Sequence, residues 1–203
     1  RLWSGCYACD WDRFAAVRER AKENRPKAFL YVGRYVPVKG MPVLLEAYRT
    51  YRTMVRSPWP LICAGAGPLK SLLEGQEGVT DHGFVQPDAL PELMARASAF
   101  VLASNREPWG VVVQEAAATG MPLICSDACG ASVHLLQDGY NGFVFETGNS
   151  SHLAECMARV SEASDDAFAR MSEGSFELSK QFTPERWAET LVKGIASLIG
   201  NAA

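Results

Sequence analysis

The chain has 203 residues, of which 48% are hydrophobic, 21% charged and 10% aromatic, and its formal net charge is −3. This composition is sufficient for one well-buried domain, and it excludes both a disordered chain and a collagen-like one. No uninterrupted apolar run approaches the roughly 18–20 residues that a membrane-spanning helix needs, which excludes an integral membrane protein.

The charged side chains are distributed unevenly. Residues 1–70 contain 13 Lys or Arg and 5 Asp or Glu, whereas residues 71–203 contain 7 and 18. A basic first third indicates either an anionic partner, such as phosphate or acidic lipid, or a solvated basic face. Nucleic acid is not the expected partner, because the cations are scattered and no nucleic-acid-binding motif frames them.

Six cysteines are too few for a disulfide-stapled secreted scaffold. Cys63 and Cys125 lie in runs typical of buried strands, where cysteine behaves as a small hydrophobic residue. Cys6-x-x-Cys9 has the spacing of half a zinc site, which Cys125 and Cys129 would complete only if the fold brought them together. We expect incidental cysteines in a reducing cytoplasm, and no metal.

Residues 1–20 lack the basic-then-apolar order of a signal peptide, and the chain begins at Arg1 rather than at a methionine. We therefore expect a soluble domain cut from a longer protein. Short apolar runs then predict five strands, which are Ala28–Gly33, Pro60–Ala64, Val79–Phe84, Ala99–Ala103 and Pro122–Ser126.

Helical periodicity occupies the segments between these strands. One helix is predicted over 41–55 with Pro42 in its first turn, and Asp88 is placed to cap another. The run 161–180 is polar and acidic, which is typical of surface helices or connections. Thr183-Pro184 opens the last helix, whose expected buried face consists of Trp187, Leu191, Ile195 and Leu198.

Alternation of apolar strands with helices predicts an α/β fold with a doubly wound, Rossmann-like parallel sheet. Such sheets bind ligands beyond the carboxyl ends of their strands. The first such loop runs from Gly33 to Gly40 and leads into a helix. Its Arg34 and Lys39 can each meet one phosphate of a diphosphate, although a solvated turn has the same composition.

Two further loops follow strands. Gly65-Ala66-Gly67-Pro68 fails both as a dinucleotide fingerprint and as a P-loop, so we interpret it as a structural turn. Glu107 lies in the loop after the fourth strand, and Glu115 lies in the helix that begins near Gly110. Two carboxylates that accept hydrogen bonds from hydroxyls, beside phosphate donors, suit a polyhydroxylated phosphate ester. A loop carboxylate and an exposed helix residue would show the same spacing.

Five motifs in order, within residues 28–160, resemble the C-terminal half of a retaining glycosyltransferase of family 4, the group 1 transferases. The G-R-x-x-x-x-K-G loop is matched by Gly33 to Gly40, and the G-x-G-P turn by Gly65 to Pro68. The E-x7-E segment is matched by Glu107 to Ala116. An A-x-G-x-P step and a D-G-x-N-G turn follow at Ala118 to Pro122 and Asp138 to Gly142.

The resemblance implies a GT-B C-terminal domain that binds a UDP- or GDP-linked sugar without a metal or other cofactor. Arg34 and Lys39, in the loop that starts at Gly33, would bind the diphosphate. Glu115 would hold the ribose hydroxyls, and Glu107, the expected catalytic residue, would lie against the transferred sugar.

Backbone groups complete the site that the resemblance implies. The N–H groups of Gly110, Val111 and Val112 would contact sugar and phosphate, and the base would lie near Phe84 and Val85. One position departs from the family pattern: His134 stands where many relatives carry an acidic residue. It is either a ligand contact or a packed core histidine, and we favour the packed one.

The other departure is length, because family members have two Rossmann-like halves and the first half holds the acceptor. We expect residues 1–20 to be the remnant of an interdomain link and 21–203 to be the nucleotide-sugar-binding domain, with a last helix that returns to the missing half. The predicted fragment acts in polysaccharide or glycolipid synthesis, in the cytoplasm at the inner face of the membrane, and transfers nothing alone. Its alternatives are half of a nucleotide-sugar epimerase and a non-catalytic nucleotide-binding module.

Overall fold

The computed structural model describes residues 7–21 and 25–199. Within these residues, six parallel strands form one sheet in the order β3-β2-β1-β4-β5-β6. The strands are β1 (Phe29–Val32), β2 (Leu61–Ala64), β3 (Val79–Gly83), β4 (Ala99–Leu102), β5 (Leu123–Ser126) and β6 (Gly142–Phe145). The order reverses between β1 and β4, which confirms the predicted doubly wound, Rossmann-like sheet.

Helices flank the sheet, with α2 packed against α6 and with α1 and α7 packed against α4. The described helices are α1 (Trp11–Ala21), α2 (Met41–Met54), α3 (Leu90–Met94), α4 (Val111–Ala118), α5 (Ser132–Leu135), α6 (Ser150–Ser161), α7 (Asp165–Ser179) and α8 (Pro184–Ile199). In the part of the chain that is described, none of them combines the length and apolarity needed to cross a bilayer.

The core explains why the strands are so apolar. β4 and β5 are buried along their whole length, whereas the edge strand β3 alternates between half-buried and exposed residues. All five predicted strands occur within one residue of their predicted bounds. The strand β6 was missed, because a four-residue run after a turn carries little pattern and its pairing with β5 makes it a strand.

Two helix predictions need correction. Asp88 does not cap α3: it lies in a 3-10 turn over Pro87–Ala89, and its carboxylate accepts a hydrogen bond from Arg13 at 2.9 Å. The four apolar side chains expected on the buried face of α8 are 43% to 58% exposed. The helical period was correct, but an amphipathic pattern does not specify the surface against which the helix packs.

The acidic run 161–180 forms α7, as a surface helix was predicted there. Ser164 caps this helix by accepting a hydrogen bond from the N–H of Ala167. Residues 1–20 were expected to be an interdomain link. Most of their described part belongs to α1, which buries Phe14 and Val17 against the domain. The boundary at residue 20 stays a prediction. The cysteines of the described residues are buried and free, and Cys6 lies outside those residues.

Candidate functional site

A cavity of about 480 Å³ opens at the reversal point of the sheet, against the last residues of β1 and β4, Val32 and Leu102. Parallel α/β sheets place their ligand sites at this point. Eight of the ten predicted site residues line the cavity: Gly33, Arg34, Lys39, Glu107, Gly110, Val111, Val112 and Glu115.

The loop that carries Arg34 and Lys39 is held against the end of β4. The N–H of Asn105 donates to the carbonyl oxygen of Val38 at 2.8 Å, which joins the loop after β4 to the loop after β1. At Gly40, where φ is +69°, an added Cβ would lie 1.7 Å from the carbonyl oxygen of Ala103. Only glycine therefore permits this approach, which brings Lys39 towards the loop after β4.

Lys39 and Glu107, 68 residues apart in the sequence, form an ion pair at the wall of the cavity. Their side chains are only 17% and 11% exposed, so neither charge is well solvated without the other. The side chain of Arg34 lines the same cavity and is exposed. The family resemblance implied a shared site for these residues, but nothing in the sequence predicted that Lys39 and Glu107 form an ion pair.

Glu115 projects from α4 into the cavity and is half-buried. Burial raises the pKa of its carboxyl group to about 7, because removal from water disfavours the charged form. Near neutral pH this group can therefore either donate or accept a hydrogen bond. The neighbouring Gln114 donates a hydrogen bond to the carbonyl oxygen of Tyr7 at 3.3 Å, which joins the start of the described chain to α4.

The turn between Glu107 and α4 rests on the segment that follows β5. The N–H of Gly130 donates to the carbonyl oxygen of Glu107 at 2.9 Å, and the N–H of Ala131 donates to that of Trp109 at 2.8 Å. Gly110, with φ +97°, begins α4 and leaves the first N–H groups of the helix at the cavity. No sequence pattern predicted that the segment after β5 supports the site.

Aromatic rings surround Trp109, a cavity-lining residue that is not among the predicted site residues. Tyr7 stacks on it with ring centroids 5.0 Å apart, and the rings of Phe182 and His134 each lie 5.7 Å from it. The prediction that His134 is a core histidine is wrong, because its side chain is exposed. His134 instead lies on the solvent-exposed side of this aromatic group, which packs beside the N-terminus of α4.

The glycine turn after β2 contacts protein backbone. A Cβ added at Gly65 would lie 1.9 Å from the carbonyl oxygen of Gly33, and one added at Gly67 would lie 2.4 Å from that of Tyr35. The glycines therefore make room for the loop after β1, as a structural turn does.

The two remaining predicted residues, Phe84 and Val85, directly follow β3, which is the outermost strand on one side of the sheet. Like the cavity, they lie beyond the carboxyl ends of the strands, but they do not line the cavity. The side chain of Phe84 is 67% exposed. An exposed aromatic ring at this position is available to contact a flat ligand group.

Much of the basic excess in residues 1–70 is neutralised within the fold. Five cations from this segment pair with carboxylates from the acidic remainder, in the ion pairs Arg13–Asp88, Arg18–Glu173, Arg20–Glu92, Arg52–Glu77 and Lys70–Asp81. Within residues 7–21 and 25–199, no three His, Cys, Asp or Glu side chains are grouped so that they could hold a metal ion.

The fold and the cavity can be compared with known proteins. An alpha-D-kanosaminyltransferase of Streptomyces kanamyceticus is 30% identical over 73% of this chain and 40% of its own length. A GDP-mannose-dependent alpha-(1-6)-phosphatidylinositol monomannoside mannosyltransferase of Mycobacterium tuberculosis is 29% identical over 94% of this chain and 53% of its own length. The chain thus spans about half the length of these relatives.

Solved structures share the fold. The crystal structure of the Anabaena protein HepE in complex with UDP superposes with a TM-score of 0.75 at 22% identity, over 97% of this chain and 57% of that one. The family model for glycosyl transferases group 1 matches residues 12–177, which is most of the chain. The chain therefore belongs to the group 1 glycosyltransferase family, and its fold is the Rossmann-like C-terminal domain of a GT-B enzyme.

Proposed function

We propose that this domain binds the nucleotide-diphosphate-sugar donor of a retaining glycosyltransferase. One observation carries the proposal: two cations and two carboxylates line the same cavity at the reversal point of the sheet. They are Arg34, Lys39, Glu107 and Glu115. Cations suit a diphosphate and carboxylates suit sugar hydroxyls, so the four side chains match the two halves of such a donor.

In the proposed complex, Arg34 and Lys39 bind the diphosphate beside the N-terminus of α4. The N–H groups of Val111 and Val112 at that helix end favour negative charge, which grows on the leaving diphosphate as the glycosidic bond breaks. These groups can stabilise that charge without a metal. Glu107 faces the transferred sugar, and its ion pair with Lys39 fixes the position of both side chains.

Glu115 accepts hydrogen bonds from the ribose hydroxyls, and the exposed ring of Phe84, with Val85 beside it, contacts the base. The names of similar proteins support a nucleotide donor: the HepE structure contains UDP, and the mycobacterial relative is GDP-mannose-dependent. The proposal includes both uridine and guanosine donors, because the side chains of Phe84 and Val85 carry no hydrogen-bonding group that would distinguish these bases.

The acceptor-binding half is the proposed partner of this domain, since the chain covers about half of its relatives' length. The exposed apolar face of α8 is the surface proposed to meet that half. We expect the fragment to bind donor weakly and to transfer nothing, because it supplies one wall of the cleft. In the whole protein the product would be a polysaccharide or glycolipid, made at the inner face of the membrane.

Titration calorimetry with UDP, GDP and ADP tests the donor site. We expect saturable binding of one nucleotide, weakened at least tenfold by Arg34→Ala and by Glu115→Ala. Arg49→Ala is the matched control, because Arg49 is an exposed arginine on α2 outside the cavity. Equal affinity in Arg34→Ala and Arg49→Ala would contradict the proposed diphosphate site.

A further inference from the structure

One carboxylate joins the loops that follow β1, β2 and β3. Asp81 accepts hydrogen bonds on Oδ1 from the hydroxyl of Tyr35 at 2.8 Å and from the N–H of Gly83 at 2.9 Å. The ammonium group of Lys70 lies 3.5 Å from its Oδ2. Tyr35 belongs to the loop after β1, Lys70 follows the turn after β2, and Gly83 ends β3.

Tyr35 couples Asp81 to the loop of the proposed diphosphate site. Its ring is fully buried, and it directly follows Arg34 in the chain. Its backbone is fixed as well, because its N–H donates to Ala66 at 2.9 Å and its carbonyl oxygen accepts from Leu69 at 3.0 Å. The hydroxyl of Tyr35 therefore cannot move far unless the backbone at Arg34 moves with it.

On its other side Asp81 holds the turn that presents Phe84. The bonded N–H belongs to Gly83, whose φ of +71° turns the chain out of β3. The carbonyl oxygen of Gly83 accepts from the N–H of Gly65 at 2.8 Å, so the turn is also joined to the loop after β2. The direction in which Phe84 and Val85 leave the sheet thus depends on the same carboxylate.

The carboxylate is ionised over the physiological range. Its partial burial opposes ionisation, but the hydrogen bonds from Gly83 and Tyr35 and the nearby Lys70 outweigh burial and lower the pKa of Asp81. Hydrogen bonds to an ionised acceptor are stronger and shorter than neutral ones. Asp81 therefore holds the two loops more firmly than a neutral side chain in the same place would.

We propose that Asp81, acting through Tyr35, is a positioning residue that couples the diphosphate loop to the loop carrying Phe84 and Val85, so that phosphate and base reinforce each other's binding. This inference rests on the proposed donor site. It adds to that site two residues that touch neither the cavity nor, in the proposal, the donor.

The test uses inorganic pyrophosphate, UDP and GDP with the 203-residue chain. In the unaltered chain we expect pyrophosphate to shift the amide resonances of Gly83, Phe84 and Val85 as well as those of the diphosphate loop. In Tyr35→Phe, which keeps the ring and loses the hydrogen bond, pyrophosphate affinity should stay within threefold and the resonances after β3 should stop responding. Affinity for the nucleotide that binds should fall five- to twentyfold.

Tyr48→Phe is the matched control. Tyr48 is also buried, and its hydroxyl donates to the carbonyl oxygens of Trp59 and Gly78. These two residues precede β2 and β3, so this contact lies at the amino ends of the strands, opposite to the cavity. It should lower the melting temperature and leave nucleotide affinity unchanged. Asp81→Ala should reproduce Tyr35→Phe, and Asp81→Asn, which keeps an acceptor oxygen, should restore part of the response.

The outcomes separate the inference from the function on which it rests. If Tyr35→Phe and Asp81→Ala lower only the melting temperature, as Tyr48→Phe does, the inference is overturned and the donor site stands. If the unaltered chain binds neither pyrophosphate nor nucleotide, both are overturned. Loss of the Phe84 response and of nucleotide affinity, with pyrophosphate binding retained, supports the coupling.

Discussion

Single side chains at the cavity do not act independently of one another. Before any ligand binds, Lys39 is held in an ion pair with Glu107, whereas the side chain of Arg34 is exposed to solvent. Lys39 is already oriented by Glu107, and a diphosphate would be a second anionic neighbour for it. In the proposed complex, the exposed side chain of Arg34 would lose rotamer freedom on binding the diphosphate, which costs side-chain entropy. Truncation of Lys39 also leaves Glu107 without its ion-pair partner.

The raised pKa of Glu115 predicts a pH dependence of nucleotide affinity. Because burial raises this pKa to about 7, most of the group is protonated at pH 6 and ionised at pH 8. In the proposed complex, only the ionised form of Glu115 can accept hydrogen bonds from both ribose hydroxyls, so UDP or GDP should bind about tenfold more weakly at pH 6 than at pH 8. Calorimetry at pH 6.5 should also detect proton release on binding, since binding favours the ionised group.

The control for this prediction is Glu115→Gln, which is neutral throughout. Any pH dependence that remains in this variant comes from groups other than Glu115, the phosphate groups of the nucleotide among them. Identical pH profiles for Glu115→Gln and the unaltered chain would show that Glu115 does not titrate on binding.

At the scale of elements, loops from neighbouring strands are assembled as one unit. The loop after β1 is held by backbone contacts from the turn after β2 and from the loop after β4. The turn that starts α4 is held in the same way by the segment after β5. The cavity is therefore built on the ends of four neighbouring strands, β2, β1, β4 and β5, and its geometry depends on residues that a ligand would not touch.

Gly67→Ala should show this dependence. The added Cβ would meet the backbone of Tyr35 at 2.4 Å, so the loop that carries Arg34 has to shift. We expect a loss of about 1–3 kcal/mol in the free energy of unfolding, together with at least fivefold weaker nucleotide binding. Chemical denaturation and calorimetry measure the two effects.

Gly75→Ala provides the comparison for Gly67→Ala. Gly75 has φ +69° and nothing within 4 Å of its added Cβ, so only the backbone conformation is penalised. Its cost should be about 1 kcal/mol, with nucleotide affinity unchanged. If both variants bind nucleotide as the unaltered chain does, the turn after β2 has no influence on the cavity.

At the scale of the whole molecule, α8 differs from the other long helices because its apolar face is largely uncovered. Its apolar face, which includes Trp187, Leu191 and Ile195, is about half exposed, whereas the helices against the sheet bury theirs. In the proposed function, this face meets the acceptor-binding half. In the charged remainder of α8, Glu189 pairs with Arg186 and Lys193.

Substitutions on α8 should therefore be nearly neutral in this chain. We expect the double variant Leu191→Ser and Ile195→Ser to change the free energy of unfolding by less than about 0.5 kcal/mol, because these side chains are exposed. Chemical denaturation measures the effect. Leu153→Ala, at a fully buried position of α6, should cost about 2–5 kcal/mol; a similar loss in the α8 variant would show that the face is already packed.

The sequence by itself determined the sheet class, five of the six strands and the loops that carry the cavity. Strand periodicity and turn residues are local properties, and the rule that parallel sheets bind at their carboxyl edge requires no coordinates. That rule placed Arg34, Lys39, Glu107 and Glu115 beyond the carboxyl ends of the strands, and the resemblance to the group 1 family assigned them to one donor site. The strand β6 was not predicted, because its formation depends on pairing with β5.

Only the tertiary structure decided how these residues affect one another. The ion pair of Lys39 with Glu107 and the link from Tyr35 through Asp81 to Gly83 join segments that are far apart in the chain. The raised pKa of Glu115 depends on how deeply α4 is buried, and the exposure of α8 depends on what the domain leaves uncovered. Burial and long-range contacts are properties of the assembled fold, and local sequence patterns do not encode them.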